Sequence, residues 1–403
     1  MQDHLKGIRV LEVAQWWFVP AAGAVLADWG ADVIKIEHPV SGDGQRGLVA
    51  SGLIPGDTSG VNFMMEQSNR GKRSVGLDLA TERGREILYR LAKSSDVFLT
   101  NFLTPARRKL AIDLADIRAV NPDIIYVRGS GQGVRGPDAE KAGYDGTAFW
   151  SRGGVGQAIT RDWMEYPVMP RAALGDSIGA MTIAGGIAAA LLKRERSGEP
   201  SVVDVSLMGT AMWSLGADLV AADLTGSAMP SFDHGSSPNP VVGTYGTKDG
   251  RWIMFNYLQA DRWWPDLCRR MDREDLITDE RFKDAVSRYH NAEACVAELD
   301  AIFASRTLAQ WCEALADAEG AWAPYQTTPE VLADPQTEAN GYLPEIEVNG
   351  RQVRLVANPV QFDETPPTLT RAPEHGEHTE QVLLELGLDW DEIAEGKKDG
   401  SVL

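Results

Sequence analysis

Residues 7 to 37 constrain the fold of this chain more than any other stretch. Ile8 to Val13 is a β-branched and apolar run in mixed order, the pattern of a strand covered on both faces. Pro20 suits a first helical position, and the helix predicted from it runs AAGAVLADW to Gly30, where a glycine can take the left-handed C-cap. Val33 to Glu37 follows as the next strand. A compact strand–helix–strand unit whose strands read as doubly buried points to a parallel sheet.

The alternation continues. Ser74 to Leu79 reads as a strand, Thr81 to Ser94 as a helix with Thr81 as its cap, and Val97 to Asn101 and Ile124 to Gly129 as two more strands. This is the pattern of an open parallel α/β sheet. Ile178 to Arg196 is rich in Ala and Gly and ends in Lys193, Arg194 and Arg196 before Gly198, which predicts a long central helix packed through small residues. Val202 to Ser206 resumes a strand and Leu207 to Asp223 a helix. The run TGSAMPSFDHGSSPNP at 225 to 240 marks a domain boundary. Beyond it, residues 243 to 256 form a hairpin turned by Lys248-Asp249-Gly250, and helical patterns at 260–271, 291–304 and 307–319 complete a smaller α+β unit that ends near Trp322-Ala323-Pro324. A second hairpin turns at Asn349-Gly350, and His378 to Leu386 and Asp389 to Ala394 are helical. The predicted divisions are 1–224, 225–325 and 326–403.

At 403 residues, with 24% charged and 43% hydrophobic, the chain can bury a large core and is neither disordered nor fibrous. Its net charge of −19 leaves no broad basic face, so nucleic acid is not an expected partner. Cys268, Cys295 and Cys312 show neither a disulfide framework nor zinc spacing, and six scattered histidines suggest no metal cluster; a reducing cytoplasm is expected. The N-terminus lacks a signal-peptide core, and no run of about 18 uninterrupted apolar residues predicts a membrane span.

The first strand-to-helix turn, AQWWFVP, has no glycine before Gly23, which argues against a dinucleotide site. Chemistry is left to carboxylates in glycine-flanked loops. Asp176, in AALGDSIGAM, stands just before the predicted long helix. There it would accept first-turn amides and stay ionised, as a carboxylate nucleophile requires; a plain N-cap accounts for it equally. In AGYDGTAFWSRGG, Tyr144 could donate to an oxyanion and Asp145 could position or exchange a proton, or the segment could be only a turn. Lys72-Arg73 and Arg107-Arg108-Lys109 are cation clusters able to hold phosphates, with solvated surface charge as the alternative.

Taken together, GIRVLEVAQ with Pro20, LADWGADVIKIEHPVSGD, NRGKRSVGLDL, DVFLTNF, LGDSIGAM and RAPEHGEHTEQVLLELGL resemble the class III CoA-transferase (CaiB/BaiF) family, in its order, from about residue 6 to 395. The resemblance implies a large Rossmann-like α/β domain formed by both chain ends, a smaller α+β domain, and an interlocked homodimer. It implies acyl-CoA and a carboxylic acid as substrates, with no metal, and Asp176 as the nucleophile that passes through an aspartyl anhydride and an aspartyl-CoA thioester. By position it assigns CoA contacts to Trp17, Phe18, His38, Asn101, Phe102, Lys109 with its neighbour Arg108, and Lys141. Two departures stand out. Trp16 and Trp17 replace smaller residues, and His38 replaces a frequent arginine, so contacts to the nucleotide end of CoA are expected to differ. The run HGSSPNP at 234 to 240 is unlike the glycine run of the formyl-CoA type, which argues against oxalate and formate. Related racemases of 2-methylacyl-CoA use a histidine where Tyr144 stands; a phenol with a pKa of about 10 is a poor base at neutrality, so racemisation is the lesser alternative. A CoA-binding homologue without turnover is another. Trp16, Trp17, Phe149 and Trp150 point to a bulky apolar acyl group.

Overall fold

The computed structural model describes residues 3–50, 58, 60–161, 163–168, 171–230 and 232–403. Met1, Gln2 and Ser231, which belong to the N-terminal stretch and the 225–240 run, lie outside them. Two compact units divide the chain, one of Met1–Ser227 with Gln336–Leu403, the other of Ala228–Pro335.

The sheet of the larger unit contains β1 (Arg9–Val13), β2 (Asp32–Glu37), β3 (Arg73–Gly76), β4 (Val97–Thr100), β5 (Ile125–Ser130) and β6 (Val202–Ser206). All pair in parallel, in the spatial order β3-β2-β1-β4-β5-β6. Period-2 alternation explains the mixed apolar order of the strands. Val10, Val97, Leu99, Ile125 and Val127 enter a core with the Phe18–Asp28 and Leu174–Ser197 helices. Leu11, Phe98 and Tyr126 enter a second core with the Glu82–Lys93, Thr379–Glu385 and Trp390–Asp399 helices. Each aliphatic side chain so buried contributes about 1.5–3 kcal/mol. Thr81 caps the Glu82–Lys93 helix, its hydroxyl accepting the Gly84 N–H at 3.1 Å.

The chain end returns to this sheet. Thr379 Oγ1 accepts the Gly76 N–H at 2.9 Å, Leu77 bridges Val402, and Glu385 pairs with Arg73 at 2.7 Å. The Leu174–Ser197 helix is long and apolar enough to cross a membrane by length and composition alone; here Ala180, Ile183, Ala184 and Ile187 are buried in the first core.

In the smaller unit, β7 (Val242–Gly246) and β8 (Trp252–Asn256) form the hairpin expected around Gly250. β9 (Trp322–Pro324) adds a third strand beside β8, which the sequence reading did not assign. The core of this unit gathers Trp264, Phe303 and Trp311. Back in the larger unit, β10 (Glu345–Val348) and β11 (Arg351–Arg354) flank Asn349 and Gly350, whose φ values of 51° and 76° are those of a tight two-residue turn.

Candidate functional site

Strand order reverses at β1, whose neighbours are β2 and β4, and open α/β sheets bind ligands in the crevice beyond the carboxyl ends of such strands. Asn101, directly after β4, fixes the turn after β1. Its Oδ1 accepts the Gln15 N–H at 3.1 Å and its Nδ2 donates to the Gln15 carbonyl at 2.6 Å. A crevice of about 340 Å³ opens there, lined by Gln15, Trp16, Phe18, Asn101, Phe102, Gly129 to Gly131, Tyr144 and Asp176. Trp16 has a left-handed φ of 71°, and Asp43 Oδ1 accepts its N–H at 3.0 Å. The Trp16 and Tyr144 rings meet edge to face, 6.1 Å between centroids.

The structure corrects the reading of Asp176 as a helix cap. The long helix starts at Leu174, not at Ile178, because Ala173 turns into it with a left-handed φ of 59°. Asp176 is therefore a residue of the first turn. Asp145 takes the capping role, its Oδ1 accepting the Gly175 N–H at 3.1 Å. Gly175 is required for this approach: a Cβ there would stand 2.2 Å from Phe149 Cγ and 2.4 Å from Asp145 Oδ1. Asp176 also departs from the expected permanent charge. Burial, then the neighbouring charge of Asp145, push its carboxyl up to about 7. Asp145, only 8% exposed, is raised as well, by burial, against the lowering pull of the Gly175 amide. The wide π-helical segment Asp145–Arg152 carries Asp145 against the helix start.

Of the other predicted residues, Phe18, Asn101, Phe102 and Tyr144 join Asp176 in the crevice wall. Trp17 faces elsewhere, its indole N–H donating to Ser177 Oγ at 3.0 Å. His38 stands just past β2 with its Nδ1 accepting the Val40 and Ser41 amides, 4.0 Å from Asp78. Arg108 and Lys109 are exposed on the Thr104–Lys109 helix that follows β4. Lys141 is exposed and paired with Asp138 at 2.7 Å. None of these five lines the crevice wall.

Three of the cations considered for phosphates are structural instead. Lys72 is buried and bonded to Glu12, Asn69 and the Pro20 carbonyl. Arg73, at the amino end of β3, pairs with Asp32 and Glu385. Arg107 is buried against Asp113 and the Phe102 carbonyl. Gln15 and Gly129 to Gly131 were missed, although their places just past β1 and at the end of β5 are where the carboxyl-end rule would have sought them. Among the described residues no group of three or more His, Cys, Asp or Glu could hold a metal ion.

Fold and crevice together define an α/β ligand-binding protein with an aspartate at its switch point. The chain matches the model of CoA-transferase family III over residues 5–379. It is 33% identical over 391 residues to an (R)-2-hydroxy-4-methylpentanoate CoA-transferase of Clostridioides difficile, covering 96% of this chain and 97% of that protein. It is 32% identical over 407 residues to a cinnamoyl-CoA:phenyllactate CoA-transferase of Clostridium sporogenes, covering 100% and 98%. A crystal structure of a CaiB/BaiF family protein from Brucella suis superposes with a TM-score of 0.81 at 29% identity, covering 96% of this chain and 100% of that one. The chain belongs to CoA-transferase family III, and its chemistry is CoA transfer with CoA thioesters as substrates.

Proposed function

We propose that this protein moves CoA from an acyl-CoA donor to a carboxylic acid acceptor, with Asp176 as the nucleophile. The observation that carries the reading is the Asp176 carboxyl in the wall of the switch-point crevice, partly buried and poised near neutrality. In its charged form it attacks the thioester carbonyl, the C–S bond breaks, and CoA thiolate leaves a mixed anhydride behind. Thiolate attacks the aspartyl carbonyl of that anhydride, releasing the donor acid and forming aspartyl-CoA thioester. The acceptor carboxylate attacks this thioester and expels thiolate. Thiolate then attacks the acceptor acyl carbon of the second anhydride, giving the new acyl-CoA and regenerating Asp176. Each step trades one activated acyl bond for another, so no ATP is consumed. Tyr144, on the rim, is a donor for the developing oxyanions, and Asp145 holds the helix start that carries Asp176.

The acyl group in this reading is bulky and apolar. The two relatives named above act on branched and aryl hydroxy acids by name, which supports it. We also infer a homodimer. Trp213 and Leu224 are 85% and 79% exposed, and the Gly216–Thr225 helix buries none of its residues, a surface suited to a second copy.

Asp176→Ala and Asp176→Asn are expected to lose CoA exchange by at least about a thousandfold while still binding CoA. Incubation with acyl-CoA, then hydroxylamine and intact mass, is expected to mark the Asp176 peptide in the unaltered protein only. Full exchange by either variant would sink the mechanism. An unaltered protein that binds acyl-CoA but never exchanges it would be the non-catalytic homologue, and deuterium wash-in at the α-carbon of a 2-methylacyl-CoA would mark a racemase.

A further inference from the structure

A second cavity, of about 500 Å³, adjoins the crevice within the larger unit. Consecutive residues divide between the two: Trp16, Phe18 and Asp176 face the crevice, whereas Trp17 and Ser177 face the second cavity. The wall between them is thus the turn after β1 and the first turn of the Leu174–Ser197 helix. A hydrogen bond from Trp17 Nε1 to Ser177 Oγ at 3.0 Å joins its two halves.

The lining of this cavity is apolar where it could meet a ligand. Ala21 and Val25 project from one face of the Phe18–Asp28 helix, and Met181 lies one turn beyond Ser177; Phe63 and Leu355 complete the apolar wall. Its polar groups already have partners. Gln67 is bonded at both ends to the Val356 backbone, at 2.8 and 3.0 Å. Arg70 pairs with Asp28 at 2.8 Å, Asn358 donates to the same carboxylate at 3.0 Å, and Arg354 is engaged as well. A carboxylate entering would lose its hydration and have to compete with Asp28 for Arg70 and with the present partner of Arg354, whereas a hydrocarbon chain would gain burial.

We propose that this cavity is the acyl subsite and that it takes an apolar branched or aryl chain rather than a second carboxylate. The proposal rests on the reading of Asp176 as the acyl acceptor. The chain enters when Trp17 swings away from Ser177, which opens the wall one residue from the nucleophile. Its volume falls within the range of small-molecule sites.

Ala21→Phe and Met181→Trp fill the cavity from two different helices. With one acyl-CoA donor, kcat/KM is measured for acetate, succinate, 4-methylpentanoate and 3-phenylpropanoate as acceptors. The unaltered protein is expected to favour the last two by at least tenfold. Each variant is expected to lose that preference, dropping tenfold or more on the apolar acids and threefold or less on acetate. Equal losses on all four acids, or no loss in either variant, would overturn the subsite, as would a smaller sedimenting species, which would mean that a second copy fills the cavity. Calorimetry on Asp176→Ala separates the subsite from the mechanism. 4-Methylpentanoyl-CoA is expected to bind at least tenfold tighter than acetyl-CoA, and adding Ala21→Phe is expected to close that gap. No gap sinks the subsite even where exchange is intact. A gap in a chain without exchange sinks the transferase reading and leaves the subsite standing.

Discussion

Beside the central strands Glu12 meets two ammonium groups, whereas at the crevice Asp176 meets none among the described residues. Lys72 Nζ lies 2.8 Å and Lys35 Nζ 3.2 Å from the Glu12 carboxylate, and Lys35 also reaches Asp43 at 2.8 Å and the Ala14 carbonyl at 2.8 Å. The Phe18–Asp28 helix passes so close that a Cβ on Gly23 would stand 2.0 Å from Glu12 Oε2. Burial here works against every charge, but Asp43, Glu12 and Glu37 outweigh it at Lys35, whose ammonium is held above its usual range. Arg46 and Lys35 likewise outweigh burial at Glu37 and hold it down at about 2. Lys72 goes the other way, to about 8, because burial exceeds the pull of Glu12 and Lys35 repels it. At Asp176 burial and Asp145 act in the same sense. The contrast teaches that depth alone does not set the charge of a carboxylate; the neighbouring cation does. One arrangement holds a turn in place, the other keeps the Asp176 carboxyl near its titration point.

Removing the cation should break the first region hardest. Lys35→Met leaves Glu12 and Asp43 buried with one partner fewer, and a loss of about 3–5 kcal/mol is expected in urea unfolding. Because the same network grips the Ala14 carbonyl and, through Asp43, the Trp16 amide, the variant should also raise the KM for acyl-CoA in the fraction that folds. At the crevice, exchange should fall about tenfold per pH unit below about 7, as Asp176 gains its proton, and level off above. Asp145→Asn removes the like charge, the pressure on Asp176 that comes after burial, and should move that limb to lower pH. An unchanged limb would mean that burial acts alone.

Removing the Asp176 charge should move stability in the opposite direction to removing Lys35. The folded Asp176 carboxyl is raised above its unfolded value of about 3.9, so the folded chain binds more protons between those two pKa values, and stability falls as pH rises through that window. Asp176→Asn is thus expected to raise the melting temperature at pH 8 and to leave it nearly unchanged at about pH 2.5, where both states are protonated. The smallest effect is expected at the solvated cations: Arg108→Ala with Lys109→Ala should raise the KM for acyl-CoA about threefold at low salt, with the difference fading at high salt.

The alternation of the first 130 residues was readable because doubly buried strands and capped helices leave local marks, Thr81 and Gly30 among them. Asp176, Tyr144, Asn101 and Phe102 were found in one dimension and meet in one crevice. The second cavity was not legible, since Ala21, Met181 and Leu355 look like ordinary core residues until three distant segments enclose them. Nor was the fate of Lys72, which by sequence is a cation beside another cation and by structure the partner of a carboxylate 60 residues away.

By itself the sequence determined a parallel α/β sheet and the motifs that assign its family, because hydrophobic period, caps and turn residues act over a few neighbours. Only the tertiary structure decided which carboxylate caps the long helix and which one stays partly neutral. A carboxyl group's charge depends on the dielectric and the cations within a few ångströms, and those come from residues far apart in the chain.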